Sequence, residues 1–530
     1  MSSPSVTSTT IDKSYYVPHI TNEVACFVGH FERGPINLPI WITSVDQFKF
    51  IFGRGVDEYH QDWYQVFNFL QYSGGIWVVR TSGVRLYNAN NGGDIYFNTF
   101  ADWTENKDSV TVQGPIRFIA RTPGIWGNLI NVCTFTKNDW DNNVQLNTTT
   151  KAKDVLEFFE DNYVGIAVFR NNTLVEKYYV TLDEISKIND DSLYIYVKLN
   201  DTTTVQQLSL YGQNKIVLAG GYNTFPTDMD FKVSYGLLEN VNEYEIDIVI
   251  GNEKANELAI EFAETRKDCI AFIGLPTVIV KYLKLLMGLG NPQEVAYFKN
   301  GNMIALNAYK IPNKLNDIAK TKINKYINSL PKSQYVHFTM NAKVQLDMFT
   351  NTYKTVNIAA DIAGLKAQTS LSTPWIASAG LEKGSIKNLQ KMHITMTDKE
   401  NDEYYKKGLN IMKNNTLMSQ KTFYDRPSSF NRVNIRSLFN HIERNTKKIL
   451  HKFVFEENTL RTRQIIASHI KQYLENVRIN RGITDARVYV RAGENNEIII
   501  EIAVKPTYVT EFVTVRMINA GTNTMTEIIS

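Results

Sequence analysis

Val24-Ala25-Cys26-Phe27-Val28-Gly29 is an unbroken apolar run closed by glycine, and how it is read decides the fold. Its length and content read as a short buried strand. Downstream, Ser44 is placed to cap a helix, with Gln47 three residues later completing a capping-box pattern and Phe48, Ile51 and Phe52 forming the apolar side. A second helix is predicted over Trp63–Tyr72, carrying Val66, Phe67 and Leu70. Gly74-Gly75 ends it, and Ile76–Val79 is the next strand. Strand–helix–helix–strand predicts a buried, parallel sheet, because parallel neighbours need a crossover that helices supply.

Outward from this unit the character changes. Residues 86–230 are rich in Asn, Thr and Asp, and short strands are predicted at Val110–Val112, Tyr163–Phe169, Lys177–Thr181 and Leu193–Val197, a β-rich insertion. Glu245–Ile250 begins another α/β unit. Asn252 is the expected N-cap of a helix whose face is Ala255, Leu258, Ala259 and Phe262, and Cys269–Gly274 returns as a strand. Helix–strand alternation continues to about residue 365. Near the C-terminal end, Ile435, Leu438, Phe439, Ile442, Ile449, Leu450 and Phe453 fall within an arc of about 120° on one helix. Arg436, Arg444, Lys447 and His451 fall in a separate arc. A second helix over Leu460–Val477 is expected to bury Leu460, Ile466, Ile470, Leu474 and Val477, capped by Asn458 or Thr459. Arg487–Arg491 and Ile498–Val504 predict a hairpin turning at Gly493–Asn496, followed after Pro506 by a strand-like tail, Tyr508–Asn519.

The bulk composition narrows the class. With 530 residues, two to four domains are expected. Hydrophobic residues at 43% and charged residues at 21% are ordinary for a globular chain. The 28 tyrosines and 27 phenylalanines suit large buried contacts, within cores or between subunits. A net charge of +3, from 57 basic and 54 acidic side chains, argues against a nucleic-acid coat and leaves only local patches for charge-driven binding. Three scattered cysteines, Cys26, Cys133 and Cys269, fit a reducing compartment better than a disulfide framework. Residues 1–10 are a polar Ser/Thr run without the features of a signal peptide, and no stretch reaches membrane-spanning length. A soluble protein made in the cytoplasm is the expectation.

Catalytic signatures are missing: there is no HExxH, CxxC, Walker loop, GxGxxG after a strand, or GxSxG. The eight histidines are scattered, and His441 and His451, ten residues apart, cannot share a metal. Asp347 and Asp361 are read as two solvated carboxylates rather than an acid–base pair. Gly288-Leu289-Gly290-Asn291 reads as a helix C-cap and turn, since no Lys-Ser/Thr follows. No cofactor or metal is expected.

Several segments, in order, resemble contractile-tail sheath proteins. They begin with Phe27-Val28-Gly29, Gly34-Pro35, Ile42-Thr43-Ser44-Val45-Asp46-Gln47-Phe48 and Phe52-Gly53. Asp62-Trp63-Tyr64, Asn68 to Tyr72 and Trp77-Val78-Val79-Arg80 follow. Arg121-Thr122-Pro123-Gly124-Ile125-Trp126-Gly127-Asn128 is similar to a loop in which Pro-Gly, Trp and Gly-Asn recur, and it also reads simply as a turn with a packed Trp. Ala360-Asp361-Ile362-Ala363-Gly364 and Pro374-Trp375-Ile376-Ala377-Ser378-Ala379-Gly380 resemble the segment leading into the inner domain. Val433-Asn434-Ile435-Arg436-Ser437-Leu438-Phe439, Phe455-Glu456-Glu457-Asn458 and Val504-Lys505-Pro506 resemble the C-terminal domain. The likeness is nearest to sheaths of T-even-like phages, and it thins between about residues 130 and 230.

The resemblance implies a multidomain α/β and α+β chain. It comprises an N-terminal arm (1–20), a first part of an α/β core (21–85), a β-rich outward insertion (86–230), an α/β middle domain (231–370), an inner α+β domain (371–506) and a C-terminal arm (507–530). It implies a structural subunit, not an enzyme, that polymerises helically around a tail tube and contracts to drive it through the host envelope. The partners implied are further copies of the chain, the tail tube protein, and baseplate and tail terminator proteins, without nucleic acid and without membrane insertion. The implied place is the virion tail, assembled in the host cytoplasm. Arms would add strands to neighbouring sheets through Tyr15, Tyr16, Val17, Phe512, Val513 and Val515, and the hairpin through Val488, Val490, Ile500 and Ile502. Arg436, Arg444 and Lys447 are expected to face an acidic tube. The alternatives are the sheath of a pyocin or type VI-like injection device, a multidomain enzyme without a local motif, and a receptor-binding or adhesive protein. The last fits poorly with the absence of repeats.

Overall fold

The computed structural model describes residues 23–213, 215–286, 297–299, 302–304, 312–413, 415–494 and 497–509. The chain divides into two compact units, Met1–Val433 and Asn434–Ser530.

In the first unit the opening apolar run forms β1 (Ala25–Gly29), followed by β2 (Ile40–Ile42), α1 (Val45–Phe52), α2 (His60–Leu70) and β3 (Ile76–Arg80). β1 pairs parallel with β3, and β2 lies antiparallel on β3 at the sheet edge. Ser44 caps α1 by accepting from Gln47 N–H at 3.1 Å, but the Gln47 side-chain Oε1 accepts from Thr43 N–H at 2.8 Å, one residue before the cap. The reciprocal half of the predicted box is therefore displaced by one residue. α2 starts at His60, ahead of the predicted Trp63.

The insertion supplies β4 (Ile116–Ala120), β5 (Ile130–Phe135), β6 (Tyr163–Arg170), β7 (Thr173–Thr181), β8 (Ile195–Leu199) and β9 (Ile216–Val217). These form an antiparallel four-stranded sheet, β7-β6-β5-β9, and a β4-β8 pair. The strand expected at Val110–Val112 is absent. Val110 instead packs as a loop side chain beside Phe97 and Trp103. The real strand, β4, was hidden because its Arg117 is buried and bonded to Asn90 Oδ1 at 2.8 Å and Gly93 O at 2.6 Å.

The chain then returns to the first sheet through β10 (Ile248–Ile250), α3 (Asn256–Arg266), β11 (Ile270–Gly274) and β12 (Val336–Thr339), all added in parallel, giving the order β12-β11-β10-β1-β3-β2. α3 begins four residues after Asn252. That residue is buried, donates to Val28 O and accepts from Lys254 N–H, so it forms a turn instead of a cap. The helix face is as expected: Ala255, Ala259 and Phe262 are buried, with Leu258 packed beside them.

Period-two alternation places the two halves of β1 in different cores. Ala25 and Phe27 join Phe48, Trp63, Val66, Phe69, Ile362 and Ala363; Cys26 and Val28 join Phe231, Tyr235, Ala259 and Phe262. Burial on both faces is why the strand reads as a continuous apolar run. The three cysteines are buried and none is in a disulfide, and burial pushes the Cys26 thiol up to about 12. Helix α4 (Ala359–Ser370) presents Ala360, Ala363 and Gly364, and a Cβ on Gly364 would lie 2.5 Å from the Tyr72 ring. The small residue therefore sets how closely α4 approaches the Tyr72 side chain just beyond α2.

The second unit holds α5 (Val433–Leu450), which begins at the junction, α6 (Leu460–Ile479), β13 (Ile483–Ala492) and β14 (Ile498–Pro506). Thr459 caps α6, accepting from Thr462 N–H at 3.1 Å. Ile466, Ile470, Leu474 and Val477 are buried as predicted, but Leu460 is 65% exposed. Leu460 is the first helical residue and lies off the buried stripe, which starts at Ile466.

Candidate assembly interface

The β13–β14 hairpin pairs Val488 with Ile502 and Val490 with Ile500 across an antiparallel ladder. These four side chains, the ones expected from the sequence, lie on one half-buried face, while Arg487, Tyr489, Arg491 and Glu501 occupy the exposed face. The β-branched content explains the strands. The turn is closed by Gly493 N–H donating to Glu497 O at 2.8 Å. A hairpin alone is marginal in water. Here its start is anchored to the end of α6 by Gly482 N–H donating to Val477 O at 2.9 Å, and Ile483 is buried. The sheet has two strands only, and among the described residues no third strand pairs with either. Among the described residues, both outer edges therefore carry backbone donors and acceptors without a strand partner, a surface that normally needs cover. Tyr15, Tyr16, Val17, Phe512, Val513 and Val515 lie outside the described residues.

The basic face of α5 is not one stripe. Arg436 is only 3% exposed; its Nε donates to Asn440 Oδ1 and its Nη2 to Glu443 Oε1, both at 2.8 Å. Asn440 and Glu443, four and seven residues on, lie along the same side of the helix and draw the guanidinium down against it. Arg444 is half-buried and Lys447 exposed. Of the three side chains expected to face a tube, Arg436 is therefore withdrawn into the fold.

A polar hub unforeseen from the sequence joins the sheet to the insertion. Arg80, at the end of β3, is fully buried, with Nε donating to Phe31 O at 3.0 Å and Nη1 to Gly34 O at 2.6 Å and Pro123 O at 3.1 Å. Burial holds its pKa down to about 10, despite the opposing influence of Tyr59 and Glu32. Around it, Gly34 N–H donates to Thr122 Oγ1 at 3.2 Å, Arg33 stacks 4.6 Å over the Tyr194 ring, and Glu32 pairs with Arg170 of β6. Gly124 adopts φ 134°, open to glycine but strained for other residues. It starts the turn in which Trp126 is buried with its Nε1 donating to Thr122 O at 3.1 Å. Asn128 clasps Gly221 through both its N–H and its C=O, at 2.8 and 2.9 Å. The Pro-Gly-x-Trp-Gly-Asn stretch is thus a turn with a packed Trp, and it is also where three separate motifs converge. An arginine closing an otherwise apolar strand was the available signal.

Asp347 and Asp361 are not solvated carboxylates; both side chains are fully buried. Asp347 pairs with Lys354 at 2.8 Å and accepts from Tyr64 Oη at 3.0 Å and Thr350 Oγ1 at 2.8 Å. Burial pushes its pKa up, but Lys354, the Phe349 N–H and these hydroxyls outweigh that and hold it near 2. Asp361 pairs with Lys343 at 2.8 Å and accepts from Tyr72 Oη at 3.1 Å. Burial raises the Asp361 pKa and lowers that of Lys343. The two partner sets share no residue, so each aspartate is a separate structural ion pair. Among the described residues, no group of three or more His, Cys, Asp or Glu side chains is arranged to hold a metal. No helix there is long and apolar enough to cross a membrane.

Residues 425–518, which span the second unit's helices and hairpin, match the family model of the phage tail sheath C-terminal domain. The tail sheath protein of Vibrio phage KVP40 is 26% identical over 299 residues, 52% of this chain and 42% of the phage protein. That of Enterobacteria phage T4 is 29% identical over 203 residues, 36% of this chain and 31% of its own length. The matched stretches thus span less than half of these relatives. A solved sheath tail protein from Listeria innocua superposes with a TM-score of 0.55 at 14% identity, covering 92% of each chain, a likeness of fold. The chain is therefore similar to phage tail sheath proteins in sequence, and it shares the mixed α/β, several-sheet fold of a solved one.

Proposed function

We propose that the chain is the subunit of a contractile tail sheath, which polymerises helically around a tail tube and contracts to drive it through a host envelope. The observation that carries this reading is the two-stranded hairpin with both edges open, in a segment matching the sheath C-terminal family. Strand addition satisfies such edges through backbone hydrogen bonds that depend little on side-chain sequence. Residues 1–20 and 507–530 of neighbouring copies supply the added strands, so the links persist while subunits turn.

The Arg80 hub supports the same reading, because it ties the insertion to the sheet through buried hydrogen bonds. Contraction then moves whole subunits, each gaining a modest free energy on shifting between two lattice arrangements. In this reading the helix–hairpin unit faces the tube. Arg444 and Lys447 meet an acidic tube surface through weak, salt-sensitive contacts that release on contraction. The partners are other copies, the tube protein, and baseplate and terminator proteins at the two ends, in a virion tail assembled in the host cytoplasm. The role is mechanical rather than catalytic, and turnover of a generic peptide by the purified protein would contradict it. Deleting residues 1–20 tests the linkage: assembly is expected to fail, and a truncated protein that polymerises and contracts normally would refute strand exchange through that arm.

A further inference from the structure

The first unit carries a cleft of about 440 Å³ whose lining includes Lys332, Lys406, Lys407, Lys421 and Arg426 against a single carboxylate, Asp425. That is a dense local excess in a chain whose net charge is only +3. Aromatic rings hold two of the cations. Lys332 Nζ lies 3.4 Å over the Phe423 ring, and Lys421 Nζ lies 3.9 Å over Tyr405 while donating to the Tyr405 carbonyl at 3.1 Å. Lys407 pairs with Glu403 at 2.9 Å. Of the lining residues, Lys406 and Arg426 are exposed and Tyr424 is half-buried. The chemistry fits an acidic segment with an aromatic tip.

The link between α5 and α6 has that composition. Phe455 is 103% exposed and Val454 59% exposed, followed by the exposed carboxylates of Glu456 and Glu457. Phe455 also sits at φ 71°, a left-handed conformation that a bulky side chain adopts only under strain. On the free subunit Val454 and Phe455 thus leave two adjacent apolar side chains in solvent, next to two carboxylates.

We propose that the basic cleft of one copy receives the Phe455-Glu456-Glu457 knob of a second copy, with the carboxylates on Lys406 and Arg426 and the ring against Tyr424. The contact rests on the sheath reading, since it requires copies to assemble. It adds to strand exchange a salt-sensitive, side-chain-specific contact that can be made or released between lattice states.

The test is a charge swap, read as the critical concentration for polymerisation of the full chain by sedimentation. K406E/R426E and E456K/E457K are each expected to raise it by about tenfold, and the four-fold combination to return it to within about threefold of wild type. Phe455→Ser, at a fully exposed position, is expected to weaken assembly without lowering the melting temperature. Normal polymerisation of both charge-reversed proteins, or a combination no better than its parents, overturns the contact while leaving the sheath reading intact. So does inorganic phosphate occupying the wild-type cleft while K406E/R426E still polymerises normally. Wild-type protein that stays dispersed under all salt conditions overturns the sheath reading itself, and the contact with it.

Discussion

Replacing Arg80 with methionine keeps the aliphatic stem in place and removes the guanidinium from the junction between sheet and insertion. Three buried carbonyls, of Phe31, Gly34 and Pro123, then lose donors now at 2.6–3.1 Å, and the Glu32 carbonyl loses a weak one at 3.4 Å that adds little. A buried acceptor left without a partner costs ~1–3 kcal/mol, a gross loss of ~3–9 kcal/mol. Against this, the variant no longer buries a cation whose pKa is held down to about 10, relieving ~3 kcal/mol. The expected net destabilisation is ~3 kcal/mol, which urea unfolding of the monomeric protein resolves easily. Arg80→Lys should fall between the two, because an ammonium lacks the planar fork that serves several carbonyls at once. Arg54→Ala is the control. Its side chain is 40% exposed and 3.6 Å from Glu32, so its loss should cost less than ~1 kcal/mol. Limited proteolysis of Arg80→Met should also cut faster within residues 86–230. If Arg80→Met unfolds within ~0.5 kcal/mol of wild type with an unchanged denaturant slope, Arg80 does not hold the junction through those carbonyls.

Acid stability offers a second check. Burial lowers the pKa of His30 and His60 to about 4 and that of His337 to about 3, so all three stay neutral in the fold. As pH falls below ~6.5 the unfolded chain takes up protons that the folded one refuses, so stability drops by up to ~4 kcal/mol per pH unit for the three together. His337→Asn should cut that slope by about a third in acid titrations of melting temperature, and an unchanged slope would show that His337 is not a buried neutral group. On α5, Lys447→Glu, at an exposed position, should leave the melting temperature near wild type and reduce co-sedimentation with purified tube protein severalfold at low salt. Arg436→Glu should instead destabilise the fold by ~2 kcal/mol, since it removes a buried guanidinium from Asn440 and Glu443.

The parts of the fold legible in the sequence were those governed by local periodicity. β1 and β3 stand out because helices cover both faces of the sheet, leaving apolar runs with no polar interruption. The α6 stripe Ile466, Ile470, Leu474, Val477 stands out because one face is buried at helical spacing. Errors arose where a tertiary partner overrode local preference. Val110 looks like a strand residue but fills a loop cluster with Trp103, while the true strand carries the buried Arg117. Asn252 has the chemistry of a cap, yet its amide is taken by Val28 of a strand 224 residues away in sequence. The Asp361–Lys343 pair and the Arg80 hub could not be read from one dimension, because their partners come from separate elements. The hairpin was visible as alternation, whereas the withdrawal of Arg436 from solvent depends on Asn440 and Glu443 standing on the same helix side.

Negative-stain electron microscopy of the purified full-length protein, across a range of salt and concentration, tests the sheath reading most directly. Long hollow tubes or helical polymers with a lumen wide enough for a tail tube are predicted. A discrete small oligomer, or a protein that remains monomeric at every condition, would contradict it.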